Sequence, residues 1–298
     1  MNLLTKIKGR IYRLFPPYGE ILEIHRVVEE RSPLEDNRRF EITPAFLEQT
    51  ILQYKSAGYS FVSLDEVQRQ VESQKRGKDK FVCFTLDDGY ADSYERAYPV
   101  FKKHTCPFAI YITTDFPDKK GVLWWYHLQD IILENASLRL DGLLYDCSDL
   151  TKKNQAFKEI KKKVFIQDTE RILKALERLF QENASVIRHD VKTLSWEQIC
   201  ELAADPLCTI GAHTVSHPSL PGLSDEQIRK ELSEGKKKIE DRIKKSVKHF
   251  AYPYGDWDDR VAALVMEQYS TAVLGLGGAV RKGDTVDKLK RIILLEKT

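Results

Sequence analysis

The chain has 298 residues, 42% hydrophobic and 31% charged, which suits one large α/β domain or two medium ones and excludes a disordered tail. Its 47 Lys and Arg against 45 Asp and Glu leave a net charge of +2, so no global field gathers nucleic acid. Five scattered cysteines (Cys83, Cys106, Cys147, Cys200 and Cys208) lack the spacing of a zinc knuckle or a disulfide framework, and no stretch approaches the ~20 apolar residues of a membrane span.

At the start of the chain, Leu3, Leu4, Ile7, Ile11, Leu14 and Phe15 recur at helical spacing beside Lys6, Lys8, Arg10 and Arg13. This predicts an amphipathic helix over residues 1–18, either docked on its own domain or lying, through residues 1–15, on an anionic membrane surface. Charges interrupt each apolar run before Phe15, so the continuous centre of a signal peptide is missing. The expected location is the cytoplasm, with the inner face of the membrane as the alternative.

From residue 19 to 298 a single domain is expected. Apolar, β-type runs at 21–25, 81–86, 108–112, 209–212, 249–252, 270–274 and 291–295 alternate with helix-type stretches, the pattern of βα units around a parallel sheet or barrel. Helix starts can be named. Thr43 precedes Pro44, with Leu47, Ile51 and Tyr54 following at helical spacing up to Gly58. Ser63 with Glu66, Ser195 with Gln198 and Ser224 with Gln227 each fit the capping box. Residues 124–194 break the alternation and predict a helical insertion, with amphipathic stretches at 125–133 and 152–180 and no strong strand between them. Lys161, Lys162 and Lys163 read as a solvated helix face, with a patch for an anionic substrate as the alternative.

Three segments carry chemistry. TLDDGY (85–90) follows an apolar strand, and the C-terminal strand ends are where α/β barrels build their sites. Two adjacent carboxylates repel and raise one another's pKa unless a cation intervenes, which favours a metal partner, although Asp-Gly is also ordinary turn chemistry. GAHTVSHP (211–218) follows another short strand, and the spacing of four between His213 and His217 predicts one helical turn with both imidazoles on one face. Imidazole with carboxylate suits zinc, with cobalt, iron or nickel as alternatives. FAYPYG (250–255), followed by Asp256 and Trp257, predicts a rigid loop aimed at the same mouth.

TLDDG, HTVSH and YPYG, in that order and at strand ends, resemble the successive motifs of the polysaccharide deacetylase family. The resemblance spans roughly residues 20–115 and 195–295. It implies an α/β fold, a distorted (β/α) barrel of about seven strands with the helical insertion outside it. It also implies Asp87 as general base, Asp88, His213 and His217 as ligands of a divalent metal, and Tyr254 as the source of an oxyanion-stabilising backbone N–H. The chain departs from the pattern in three places. Leu86 replaces the usual Phe, Ala251 stands where an Arg tethers the base, and the C-terminal Leu-x-x-His is absent. His25 resembles the N-terminal histidine of the poly-N-acetylglucosamine deacetylases, in which that residue serves as acid. Arg291 is the candidate for the missing tether or a substrate contact, against a strand-edge surface arginine. Tyr90, Pro253 and Trp257 are further candidate substrate contacts, and Trp124, Trp125 and Tyr252 are aromatics able to stack on sugar faces.

The expected activity is removal of an acetyl group from an N-acetylated sugar of a polysaccharide or lipid-linked glycan. Hydrolysis of O-acetyl groups and a catalytically inactive glycan-binding role are the competing readings.

Overall fold

The computed structural model describes residues 17–75, 77–164, 169–183 and 192–297. The helix expected over residues 1–18, with its membrane reading, falls almost wholly outside them.

Seven parallel strands form the centre: β1 (Gly19–Ile24), β2 (Phe81–Leu86), β3 (Phe108–Ile112), β4 (Cys208–Ala212), β5 (His249–Ala251), β6 (Thr271–Val273) and β7 (Ile292–Ile293). They are ordered β6-β5-β4-β3-β2-β1-β7, and each pairs in parallel with its neighbour. Just before β7, the N–H of Leu289 donates to the carbonyl of Ala272 at 2.9 Å and its carbonyl accepts from the N–H of Leu274 at 2.8 Å. The sheet therefore curls until its last segment touches the edge opposite β1, giving a distorted (β/α) barrel.

Strands buried on both faces must be apolar throughout, and β2 illustrates this. Val82, Phe84 and Leu86 pack outward with Leu47, Ile51, Phe101, Ile199, Leu202, Ile228 and Leu232 of the helical layer. Phe81 and Cys83 point into the barrel with Ile21, Ala109, Tyr111, Ala251, Val273 and Leu289. The inward row continues upward into polar residues, Thr85 and Asp87, so the alternation that fills the barrel delivers carboxylates to its mouth.

Ser195 and Ser224 form complete capping boxes with Gln198 and Gln227. Ser63 accepts from the N–H of Glu66, but the Glu66 carboxylate pairs with Arg69 and Gln70 instead of reaching back, which leaves half of the expected box.

Between β3 and β4, the described residues of 124–183 build a small body whose core, Leu128, Ile131, Leu138, Leu140, Phe157, Leu176 and Leu179, also takes in Leu34. Its helices are Trp124–Glu134, Leu150–Val164 and Thr169–Glu182. A strand pair was not expected here, yet Ser137–Leu140 and Leu143–Asp146 form an antiparallel hairpin. The reason is local: Asp141 and Gly142 adopt φ of 50° and 76°, the left-handed pair that a two-residue hairpin turn requires.

Candidate metal centre and active site

The end of β2 bends sharply. Asp87 donates its N–H to the carbonyl of Ile24 at 3.0 Å, while Asp88 and Gly89 take left-handed φ of 68° and 74°. This turn aims the adjacent carboxylates differently. Asp88 faces the histidines, with Oδ1 3.4 Å from Nε2 of His213 and 3.2 Å from Nε2 of His217. The two Nε2 atoms are 3.1 Å apart. Three donors separated this way are close to the edge of a tetrahedron around an ion about 2.0–2.1 Å from each. Asp88 Oδ1 is buried without a hydrogen-bond partner, as an oxygen reserved for a cation would be. The residues present therefore fit a divalent metal.

The histidine segment is not a helical turn. His213 directly follows β4, and the chain then loops, with Thr214 and His217 at φ of 70° and 62°. The Thr214 hydroxyl accepts from the N–H of His217 at 3.0 Å, and Glu231 accepts from the N–H groups of Val215 and Ser216 at 2.8 and 3.0 Å. These bonds bring the two imidazoles together without α-helical geometry. Nδ1 of His213 donates to the carbonyl of Ala251 at 2.8 Å, which leaves the Nε2 lone pair facing the centre. Burial acts to raise the pKa of Asp88, but the two histidines hold it well below the usual carboxylate range. Burial lowers the pKa of His217. His213 also feels burial, yet the neighbouring carboxylates of Asp88 and Asp87 move it upward.

Asp87 turns to the other side and meets Arg291. The guanidinium donates to both carboxylate oxygens, Nη1 to Oδ1 at 2.7 Å and Nη2 to Oδ2 at 2.6 Å. Its Nε donates to the carbonyl of Leu274 at 2.7 Å, and Nη1 also donates to Thr85 Oγ1 at 3.1 Å. Arg291 is 1% exposed, so it is a buried arginine and not a surface one. Burial opposes ionisation of Asp87, and Arg291 overcomes it, depressing the pKa. Ala251 contributes a buried methyl to the barrel interior, and the guanidinium comes instead from the segment leading into β7.

His25, one residue beyond β1, lies in the same mouth with its ring 4.7 Å from that of Phe40. Burial lowers its pKa, opposed by the charges of Asp87 and Asp88. Nε2 of His25 is 3.7 Å from Oε1 of Glu23, a buried residue that the motifs do not include. The signal for Glu23 is its position: an acid inside an apolar strand, two residues before His25 and therefore on the same face.

The third loop places Tyr254, at φ 60°, with its ring 4.5 Å from that of His217. Ser219 donates to Asp256 at 2.9 Å, tying this loop to the histidine loop. The inserted Trp124–Glu134 helix covers the centre: Trp124 Nε1 donates to Tyr254 Oη at 3.2 Å, Trp125 Nε1 to Tyr90 Oη at 2.9 Å, and the Trp125 ring is 5.6 Å from that of His217. A cleft of about 440 Å³ opens over these groups, lined also by Phe40, Trp257 and Leu276, a volume within the ~300–1,000 Å³ of small-molecule sites. Tyr90, Tyr252, Trp257 and Arg291 line it, whereas Pro253 is buried and stiffens the loop without being part of the lining.

A family model for polysaccharide deacetylase matches residues 74–272, two thirds of the chain, and includes the aspartate pair, the histidine pair and the third loop. The chain belongs to the polysaccharide deacetylase family. Within this family it is 42% identical over 65 residues to chitin deacetylase 1 of Cryptococcus neoformans, a stretch covering 22% of this chain and 14% of that protein. The curated relatives it matches are longer, with between 14% and 59% of their length spanned. Among solved structures, the fold of this chain is similar to the Streptococcus pyogenes deacetylase PplD in complex with acetate, at a TM-score of 0.64 and 18% identity over 93% of this chain and 92% of that one. It is also similar to IcaB from Ammonifex degensii, at 0.60 and 20% identity over 92% and 91%.

Proposed function

We propose that this protein is a divalent-metal-dependent hydrolase that removes acetyl groups from an N-acetylated sugar of a polysaccharide or lipid-linked glycan. The observation that carries the reading is the triangle of Asp88, His213 and His217, with donor atoms 3.1–3.4 Å apart, beside an aspartate clamped by a buried arginine. Two imidazoles and one carboxylate suit zinc, with cobalt, iron and nickel as the other candidates.

A metal held by these three residues supplies Lewis acidity and lowers the pKa of water from ~15.7 towards ~7. Asp87, kept ionised by Arg291, accepts the proton of the attacking water. The loop carrying Tyr254 offers backbone N–H donation to the developing oxyanion, a contribution of about 2.7–4 kcal/mol per donor. His25 protonates the departing nitrogen, without which an amide nitrogen is a poor leaving group. Trp124, Trp125 and Trp257 provide flat apolar faces on which pyranose rings stack, and binding there orients the acetamido group towards Asp87.

The test is acetate release by metal-reconstituted protein across N-acetylated and O-acetylated oligosaccharides, with Asp87→Asn as the control. Turnover on the N-acetylated set, abolished in the variant at unchanged metal content, is the expected result. A wild type that binds metal and glycan but releases no acetate from either set is a binding protein, and faster turnover on the O-acetylated set makes it an esterase.

A further inference from the structure

Three groups on the non-metal side of the cleft form a second cluster: single oxygens or nitrogens of Glu23, His25 and Asp87 lie within 4.8 Å of one another. A second cation is not what this cluster suits, because Arg291 already places a guanidinium there and spends both terminal nitrogens on Asp87. Glu23 is left over. Its nearest cationic atom is Nε of Arg291, 3.6 Å from Oε2 and donating elsewhere, to the carbonyl of Leu274. Oε2 is buried and has no hydrogen-bond partner, while Oε1 faces Nε2 of His25.

We propose that Glu23 is a positioning residue that acts through His25, holding in the resting enzyme the proton that His25 passes to the leaving nitrogen. The inference rests on the deacetylase reading. In the step, His25 gives its proton to the nitrogen as the carbon–nitrogen bond breaks, and the electron pair of that bond stays on nitrogen. The imidazole takes the Glu23 proton as it gives up its own, so the ring stays neutral. The acetic acid formed in the same turnover returns a proton to Glu23 through the imidazole, and the water proton held by Asp87 leaves on the amine. The products are acetate and an ammonium group, and no proton or electron is left over.

The surroundings of Glu23 favour the protonated carboxyl. Burial is the largest influence. Arg291 from the β7 side and Arg39 from the rim oppose it, Asp87 and Asp88 at the end of β2 add to it, and the pKa is raised to about 8. The backbone of Gly275 closes the remaining side, where a side chain would come within 3.9 Å of Oε2. His25, taken alone, is pushed by burial towards the neutral form, which makes a poor acid. A neighbouring carboxyl that is still protonated at neutral pH removes that difficulty, because the acid and its reserve are then one coupled pair.

The experiment uses zinc-loaded protein and the nearly isosteric Glu23→Gln, with metal content and thermal midpoint measured for both. On an N-acetylated oligosaccharide, wild-type kcat is expected to fall as pH rises through about 8. In Glu23→Gln kcat should drop at least about tenfold with KM and metal content unchanged, the fall near that pH should vanish, and combining the change with His25→Ala should add little. The second readout does not depend on turnover. The His25 imidazole resonances should show an inflection near that pH in the wild type and none in Glu23→Gln. Wild-type rate and pH profile in the variant, or identical His25 titrations, overturn the proposal, and so does loss of a metal equivalent in Glu23→Gln. If wild type releases no acetate, the deacetylase reading fails, and the imidazole titration still decides whether Glu23 holds the proton.

Discussion

Arg291 and Asp87, separated by 204 residues, meet at the barrel mouth in a bidentate ion pair whose members are 1% and 3% exposed. A buried pair of this kind contributes little net stability, but removing one partner strands the other and costs about 3–5 kcal/mol. Its value is to keep one carboxylate ionised beside a second carboxylate.

Arg291→Ala is therefore expected to impair both stability and rate. The depressed pKa of Asp87 makes its contribution to stability present above the unfolded value of ~3.9 and lost as pH falls through the lower folded value. Without the guanidinium the acid limb of the pH–rate profile should move upward, and urea titration should show the destabilisation. Arg291→Lys retains charge but not the fork, so it should recover only part of the loss. An unmoved acid limb in Arg291→Ala would contradict the pairing.

Metal affinity should fall with pH, because protons compete for the imidazoles and His213 is raised above its ordinary value. Calorimetric titration with zinc at pH 5 and pH 7 measures this, and weaker binding at pH 5 is the expected sign. Asp88→Asn and His217→Ala should each lower affinity severely. A chelator should lower the thermal midpoint of wild type, since a ligand at 100 times its Kd stabilises by about 2.7 kcal/mol.

Gly235 sits within the Asp225–Ile243 helix, where alanine would ordinarily add about 1 kcal/mol. Here a Cβ would lie 3.1 Å from the backbone carbon of Thr214, against the loop that carries both histidines. Gly235→Ala is expected to weaken zinc binding despite the better helix propensity. Equal affinity in the two proteins would show that the loop yields at no cost.

Trp124→Phe removes one hydrogen bond, to Tyr254, worth about 0.5–1.5 kcal/mol. Turnover should fall up to about tenfold with metal content intact, and Tyr254→Phe should have a similar effect. The double variant should lose little more than either, because one interaction is being removed twice.

The strands and the aspartate pair were legible in the sequence because they rest on local rules: apolar runs for buried parallel strands, and like charges that demand a cation. The His213 and His217 spacing correctly brings two rings together, yet the helical turn it predicts does not form. Thr214 and Glu231 satisfy the loop's N–H groups through side chains, an arrangement that spacing alone does not encode. The Asp141-Gly142 hairpin carried a plain turn signal, hidden by the stronger helical periodicity on either side. Glu23 belongs to no motif, and only its parity with His25 along β1 marks it.

The inserted body shares its apolar interior with Leu34 from outside it, and among the described residues it contributes Trp124, Trp125, Tyr126 and Lys161 to the cleft but none of the metal-facing or proton-transferring groups. On the proposed function, the groups that carry the chemistry and the inserted part of the cleft wall thus come from different stretches of polypeptide. On that reading, changing the other inserted residues that line the cleft would be a way to alter which glycan is admitted, while Trp124 and Trp125, bonded to Tyr254 and Tyr90, stay in place.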